Sequence, residues 1–103
     1  MEDLYFSIDK DAKNFSLKLQ SKSWELNIHG WNFEIDLLQD LFKTNWADRK
    51  TIKVGKSANA SAYWTIEREN AIIMIGNDDE TWDFAIIILY QILNEIIEKF
   101  YSI

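Results

Sequence analysis

The stretch "NDDETWD" sets Asp78, Asp79, Glu80 and Asp83 within six residues. Carboxylates gathered this closely offer hard oxygen donors, the chemistry that Ca2+ and Mg2+ prefer. The spacing does not match an EF-hand loop, which alternates its ligands around a central glycine and ends on a glutamate. No metal site is expected here. A second use is structural: Thr81 or Asp79 would cap a following helix, with the acids set against the positive end of its dipole. A third use is recognition, in which exposed acids meet a basic partner. Glu67 and Glu69 lie upstream with Arg68 as the sole base, so the region carries a net charge of −5.

The remaining reactive side chains assemble no catalytic set. His29 is the only histidine and the chain has no cysteine. A lone imidazole lacks a second ligand to share a metal and a serine or cysteine motif to activate. It reads as a strand-end or turn residue. Three glycines in all make no phosphate-cradling loop, and no carboxylate pair stands out from the solvated acids. Catalysis needs several roles filled together, so neither enzymatic activity nor a cofactor is expected. Among the tryptophans, Trp31, Trp46 and Trp82 are expected to pack at helix ends, and Trp24 shares a face with Leu26 and Ile28. Tyr63 and Trp64 fall on opposite faces of one strand, so one of them is expected to be exposed. An exposed aromatic serves as an interface anchor or as a platform for stacked bases. The small basic cluster Arg49, Lys50, Lys53 and Lys56 reads as a solvated strand edge, where lysine also discourages edge pairing.

Composition narrows the class. At 103 residues with 48% hydrophobic and 15% aromatic content, the chain has the size and apolar supply of one domain with a core of its own. Absence of cysteine fits a reducing compartment. The N-terminal "MEDLYFSIDKDAK" lacks the basic start and apolar run of a signal sequence, and the apolar run Phe84–Leu93 is shorter than the ~18–20 residues a membrane span needs. A soluble cytoplasmic protein is predicted. The net charge of −6 argues against the phosphate-neutralising surface that drives nucleic-acid binding and for a basic protein partner.

Hydrophobic periodicity supplies the elements. Leu4, Phe6 and Ile8 alternate with polar residues, as do Phe15, Leu17 and Leu19, then Trp24, Leu26 and Ile28. Period 2 predicts three half-buried strands. Ile35, Leu38, Leu41, Phe42 and Trp46 change to helical spacing, which predicts a helix over about 32–45. "TIKVGK" and "AYWTIERE" alternate again. "EN" at 69–70 reads as a tight turn, and "AIIMIG" as a strand covered on both faces. From Thr81 to Tyr101 the ridges Phe84, Ile88, Ile92, Ile96, Phe100 and Ala85, Leu89, Leu93, Ile97 predict one long, largely buried helix.

The order βββα therefore occurs twice, as pseudo-repeats 1–46 and 47–103 of a single α+β domain. At an offset of 46, Phe6 and Ile8 match Ile52 and Val54; after an inserted "NDDET" the offset is 51, and Trp31 and Phe33 match Trp82 and Phe84. Antiparallel sheets packed with two helices are expected, each unit burying its apolar face against the other.

With these residues in view, the short acidic cysteine-free chain, the segment "SAYWTIERENAIIMIGNDDETWDF" and the long final helix resemble the immunity proteins of bacterial contact-dependent growth inhibition and related polymorphic toxin systems. The doubled strand–strand–strand–helix order resembles the Whirly fold, whose usual members bind single-stranded DNA. The lysine-rich motif of those members has no counterpart here, so nucleic acid is not the expected partner. The resemblance implies a cytosolic antidote that binds the toxin domain of its own system, often a nuclease with a basic cleft, and blocks it non-covalently. The candidate contacts are Glu67, Glu69, Asp78, Asp79, Glu80 and Asp83, with Tyr63 or Trp64 as the aromatic anchor. The alternatives are a single-stranded nucleic-acid binder built on the Lys50–Lys56 strand, and a non-catalytic dimerisation or scaffold module.

Overall fold

The computed structural model describes residues 4–78 and 81–102. Seven strands form one antiparallel meander in chain order: β1 (Tyr5–Lys10), β2 (Asn14–Gln20), β3 (Glu25–Trp31), β4 (Ile52–Ser57), β5 (Ala60–Glu67), β6 (Asn70–Gly76) and β7 (Trp82–Leu89). A helical crossover joins β3 to β4. It begins as one α-turn, α1 (Asn32–Ile35), continues as a 3-10 helix over Asp36–Lys43, and ends in a short 3-10 turn, Trp46–Asp48. The final helix, α2, runs Tyr90–Ser102.

Alternation places the core. Ile8, Phe15, Leu17, Leu19, Leu26, Ile28, Val54, Ala62, Trp64, Ala71, Ile73, Ile86 and Ile88 are buried on one face of the sheet, together with Ile35, Leu38 and Leu41 of the crossover and Leu93, Ile96 and Phe100 of α2. A flat sheet with strands about 4.8 Å apart would hold β3 and β7 roughly 19 Å from each other. Instead the ring of Trp24, beside β3, meets that of Phe84 on β7 with centroids 6.3 Å apart. The sheet is thus strongly curled. The helix α2 emerges from β7, and its Phe100 stands edge-on to Phe15 of β2 at 5.2 Å, while the Lys10 ammonium of β1 donates to the Phe100 carbonyl at 3.3 Å. One helix therefore ties together both margins of the curled sheet.

Two segments differ from the sequence expectation. The expected helix over Thr81–Tyr101 divides: Trp82–Leu89 is a strand and only Tyr90–Ser102 is helical. The run Phe84–Leu89 is so apolar that it satisfies both periods. Pairing with β6 and three consecutive isoleucines, whose branched Cβ favours the pleated conformation, settle it as strand. The second half of the chain consequently reads ββββα. The crossover is helical where expected, but it is 3-10 from Asp36. Its buried residues Ile35, Leu38 and Leu41 recur every three positions, which a helix with three residues per turn brings onto one line.

Tight turns close the meander. The β4–β5 and β5–β6 hairpins turn on Ala58–Asn59 and Arg68–Glu69, one residue before the "EN" of the sequence reading, with φ of 54° at Ala58 and 58° at Arg68. Positive φ is the geometry a two-residue hairpin of right-twisted strands requires. The β1–β2 turn uses Asp11, whose Oδ1 accepts from the backbone of Asn14 at 2.7 Å and Lys13 at 2.9 Å.

Candidate functional site

Of the candidate contacts, Tyr63, Glu67, Glu69, Asp78 and Asp83 fall on or around the outer face of β5, β6 and β7, opposite the core. Register builds that face row by row. Glu67 lies beside Asn70 and Leu89; Thr65 beside Ile72 and Ile87; Tyr63 beside Met74 and Ala85. The exposed part of this face is apolar and lies on β7, where Ile87 is 66% and Leu89 45% exposed; Ile72 and Tyr63 alongside are half-buried, and Thr65 and Met74 of the same rows are buried. Among the described residues, no strand pairs with β7 on its far side. At its two ends the ring of Trp82 meets Trp46 at 5.8 Å and that of Tyr90 meets Phe42 at 5.2 Å.

The acids do not form one cluster. Glu67, at the end of β5, and Glu69, in the β5–β6 turn, are exposed at one end of this face. Asp78, in the β6–β7 turn, and Asp83, at the start of β7, are exposed at the other. The strand β6 separates them, seven residues of about 3.3 Å each and so roughly 20 Å. Asp79 and Glu80 lie outside the described residues. The expected helix cap at Thr81 or Asp79 is replaced by a hairpin turn, because the segment from Trp82 is a strand: Asp78 Oδ1 accepts from the Thr81 N–H at 2.7 Å, and the Thr81 carbonyl accepts from Asn77 N at 3.0 Å.

The aromatic pair is resolved by parity. Trp64 is 1% exposed and points into the core, where its indole N–H donates to the Val54 carbonyl at 3.0 Å. It is a core residue and offers no surface anchor. Tyr63 faces outward, half-buried, and its hydroxyl donates to the Asn77 carbonyl at 3.1 Å. Trp31 and Trp82 likewise depart from the helix-end packing role. Trp31 is 53% exposed where β3 passes into α1, and Trp82 begins a strand. Trp46 does open a helical turn, and the Arg49 guanidinium lies 3.9 Å over its ring.

At the Glu67 end a cleft of about 460 Å3 is lined by Arg68, Glu69, Leu89, Tyr90 and Gln91. The Tyr90 N–H donates to the Glu69 carbonyl at 3.0 Å, so the β5–β6 turn is pinned to the β7–α2 junction. This arrangement sets one carboxylate, Glu69, and one guanidinium, Arg68, beside an apolar wall of Leu89 and Tyr90. Sequence reasoning missed Ile72, Ile87, Leu89 and Tyr90 as surface residues. The alternation of Ala85, Ile87 and Leu89 against Phe84, Ile86 and Ile88 was the available signal, hidden under a helical period. Among the described residues there is no group of three or more metal-ligating side chains, and no helix is long and apolar enough to cross a membrane. Comparison with family models, curated proteins and solved structures finds no match to this chain.

Proposed function

We propose that this chain is a protein-binding inhibitor, an immunity protein that occludes a basic toxin domain through the outer face of β5–β7. The observation that carries the reading is the exposed apolar strip on β7, an unpaired edge strand, bracketed by Glu67 and Glu69 at one end and Asp78 and Asp83 at the other. Exposed apolar edges are hazards that proteins ordinarily blunt with lysine, proline or a bulge that turns the edge away. The opposite edge, β1, is guarded by the exposed charges Asp9 and Lys10. The strand β7 contains no lysine, arginine or proline, and its one register irregularity lies at its start, between Trp82 and Phe84, so Ala85–Leu89 runs on without a guard. An apolar centre with a charged rim is the anatomy of a non-obligate interface, and the net charge of −6 favours a positively charged occupant. A nuclease cleft built for phosphates has that charge. In this reading the chain performs no reaction, works in the cytoplasm, and shares a Whirly-like plan. Three meandering strands precede the crossover and four precede α2, so a duplicated unit in this reading is one to which β7 was added.

The test is co-expression with the small basic domain that ends a large secreted protein encoded immediately upstream. Restored growth and a stoichiometric complex are expected, with Ile87→Lys abolishing both. Absence of such a neighbour, or protection that survives Ile87→Lys together with charge reversal at both ends of the face, would overturn the reading.

A further inference from the structure

A second cleft lies elsewhere on the sheet, away from the β7 face. The cleft has a volume of about 430 Å3 and is lined by Asn14, His29, Gly30, Trp31, Glu34, Lys53 and Lys56. A β-bulge makes it. Lys53 pairs with Tyr63 and Lys56 with Ser61 across β4 and β5, three positions on one strand against two on the other. The extra residue is absorbed at Gly55, where φ is +77° and an added Cβ would come within 2.6 Å of Ile28 Cγ2. Without the bulge, Lys53 and Lys56 would point to opposite faces. With it, Val54 and Gly55 are both buried and both lysines emerge on the outer face. Lys56 is also directly opposite His29 of β3.

Among the described residues, ion pairs join Lys18 to Glu25 and Lys43 to Asp40, and neither Lys53 nor Lys56 has an ion-pair partner. The one carboxylate in the cleft, Glu34, is occupied by the backbone: its Oε2 accepts from Trp31 N at 2.8 Å and its Oε1 from Gly55 N at 3.3 Å. On a chain of net charge −6, this spot sets two ammonium groups against one carboxylate, with an imidazole and the Asn14 amide around the same space. The exposed indole of Trp31 forms a wall beside them.

We propose that this cleft binds a small phosphomonoester carrying a planar ring. Three terminal phosphate oxygens match the lysines and the His29 or Asn14 donor, lysine serving as a point-charge partner for phosphate. The ring lies against Trp31. The volume falls within the range of small-molecule sites and exceeds what a phosphate group alone fills. A polynucleotide is disfavoured, because tight backbone binding draws on many phosphate contacts and the chain as a whole is acidic, with a net charge of −6.

The experiment is an amide-resolved NMR titration of the full chain at low salt with phenyl phosphate, inorganic phosphate and phenol. Phenyl phosphate is expected to bind with a Kd on the order of 1 mM and to shift Gly30, Trp31, Gly55 and Lys56. Inorganic phosphate should shift the same residues more weakly, and phenol should not bind. The double variant Lys53→Gln/Lys56→Gln, both exposed positions, should lose about 10-fold or more in affinity while its spectrum stays folded. Trp31→Ala should remove the advantage of phenyl phosphate over inorganic phosphate; an unchanged advantage would overturn the ring assignment. No shift at about 20 mM of either phosphate, or binding untouched by the double lysine variant, would overturn the proposal. So would tighter binding of an oligothymidylate with a salt slope well above ~2, which would make the cleft part of a nucleic-acid track.

Discussion

At the scale of single residues, neighbours in sequence hold opposite offices. Tyr63 and Trp64 are adjacent on β5, yet one hydroxyl reaches the surface turn and one indole is sealed in the core. Trp64→Phe keeps a ring but leaves a gap and strands the Val54 carbonyl without a donor. A loss of about 2–4 kcal/mol is expected. Tyr63→Phe forfeits only a solvent-accessible hydrogen bond and should cost about 1 kcal/mol or less. Urea denaturation of the two variants checks the order, and a larger loss at Tyr63 would contradict it. Tyr101 gives a signature in pH. Desolvation, then the hydrogen bond to and charge of Asp36, raise its hydroxyl above the ordinary 10.0, against a smaller opposing effect of the bond donated by Gln39. A raised folded pKa means that the unfolded chain gives up this proton first as pH climbs. The contribution of Tyr101 to stability is therefore full below pH 10 and fades as pH rises through the folded value. Stability curves of wild type and Tyr101→Phe should converge on the alkaline side; parallel curves would remove the effect.

Among the elements, legibility followed the uniqueness of the period. The strands β1, β2 and β3 alternate apolar and polar residues without ambiguity, so their faces could be read directly, including the placement of Ile8, Leu17 and Ile28 in the core. The strand β5 alternates too, but it carries an aromatic ring on each face, and only the structure puts Trp64 inside and Tyr63 outside. The strand β6 was legible as an unbroken apolar run, and Ile73 and Met74, on opposite faces, are both buried. The strand β7 was not legible, because in "FAIIIL" nearly every position is apolar and a 3.6 period fits as well as a 2 period. Only the neighbouring β6 arbitrates, and pairing between strands is a tertiary fact. The same holds for the β4 bulge. "KVGK" spells a strand with a glycine, but the two-for-three register appears only against β5. Of the candidate site, the exposure of Glu67, Glu69, Asp78 and Asp83 was readable from polarity, whereas their division between two ends of β6 depended on where the turns fell. Gly55 makes the bulge testable. Gly55→Ala sets a Cβ on a left-handed φ and against Ile28, so a loss of about 2–4 kcal/mol is expected. Amide shifts of Lys53 and Lys56 should move with it. A neutral Gly55→Ala would mean that β4 runs unbulged.

Over the whole molecule, charge and apolar surface are distributed on different length scales, and this separates their kinetic effects. Net negative charge acts at a distance, through the encounter of the chain with a basic partner, and is screened beyond about 8 Å at physiological salt. The Ile87–Leu89 strip acts only after contact. If the outer face of β5–β7 is the interface, substitutions should sort by rate constant. Charge reversal of Glu67 and Glu69, or of Asp78 and Asp83, should slow association by roughly 3–10-fold at low salt, and less as salt rises. Ile87→Lys should leave the encounter nearly untouched and speed dissociation, by roughly 10-fold or more, because it sets an unpaired charge in the desolvated centre. The two ends are about 20 Å apart, so a partner that spans the face will respond to both reversals, and one seated on the Arg68–Gln91 cleft to Glu67 and Glu69 alone. Stopped-flow mixing with the basic partner domain distinguishes these cases. Association rates indifferent to both reversals, with a dissociation rate indifferent to Ile87→Lys, would move the interface off this face altogether.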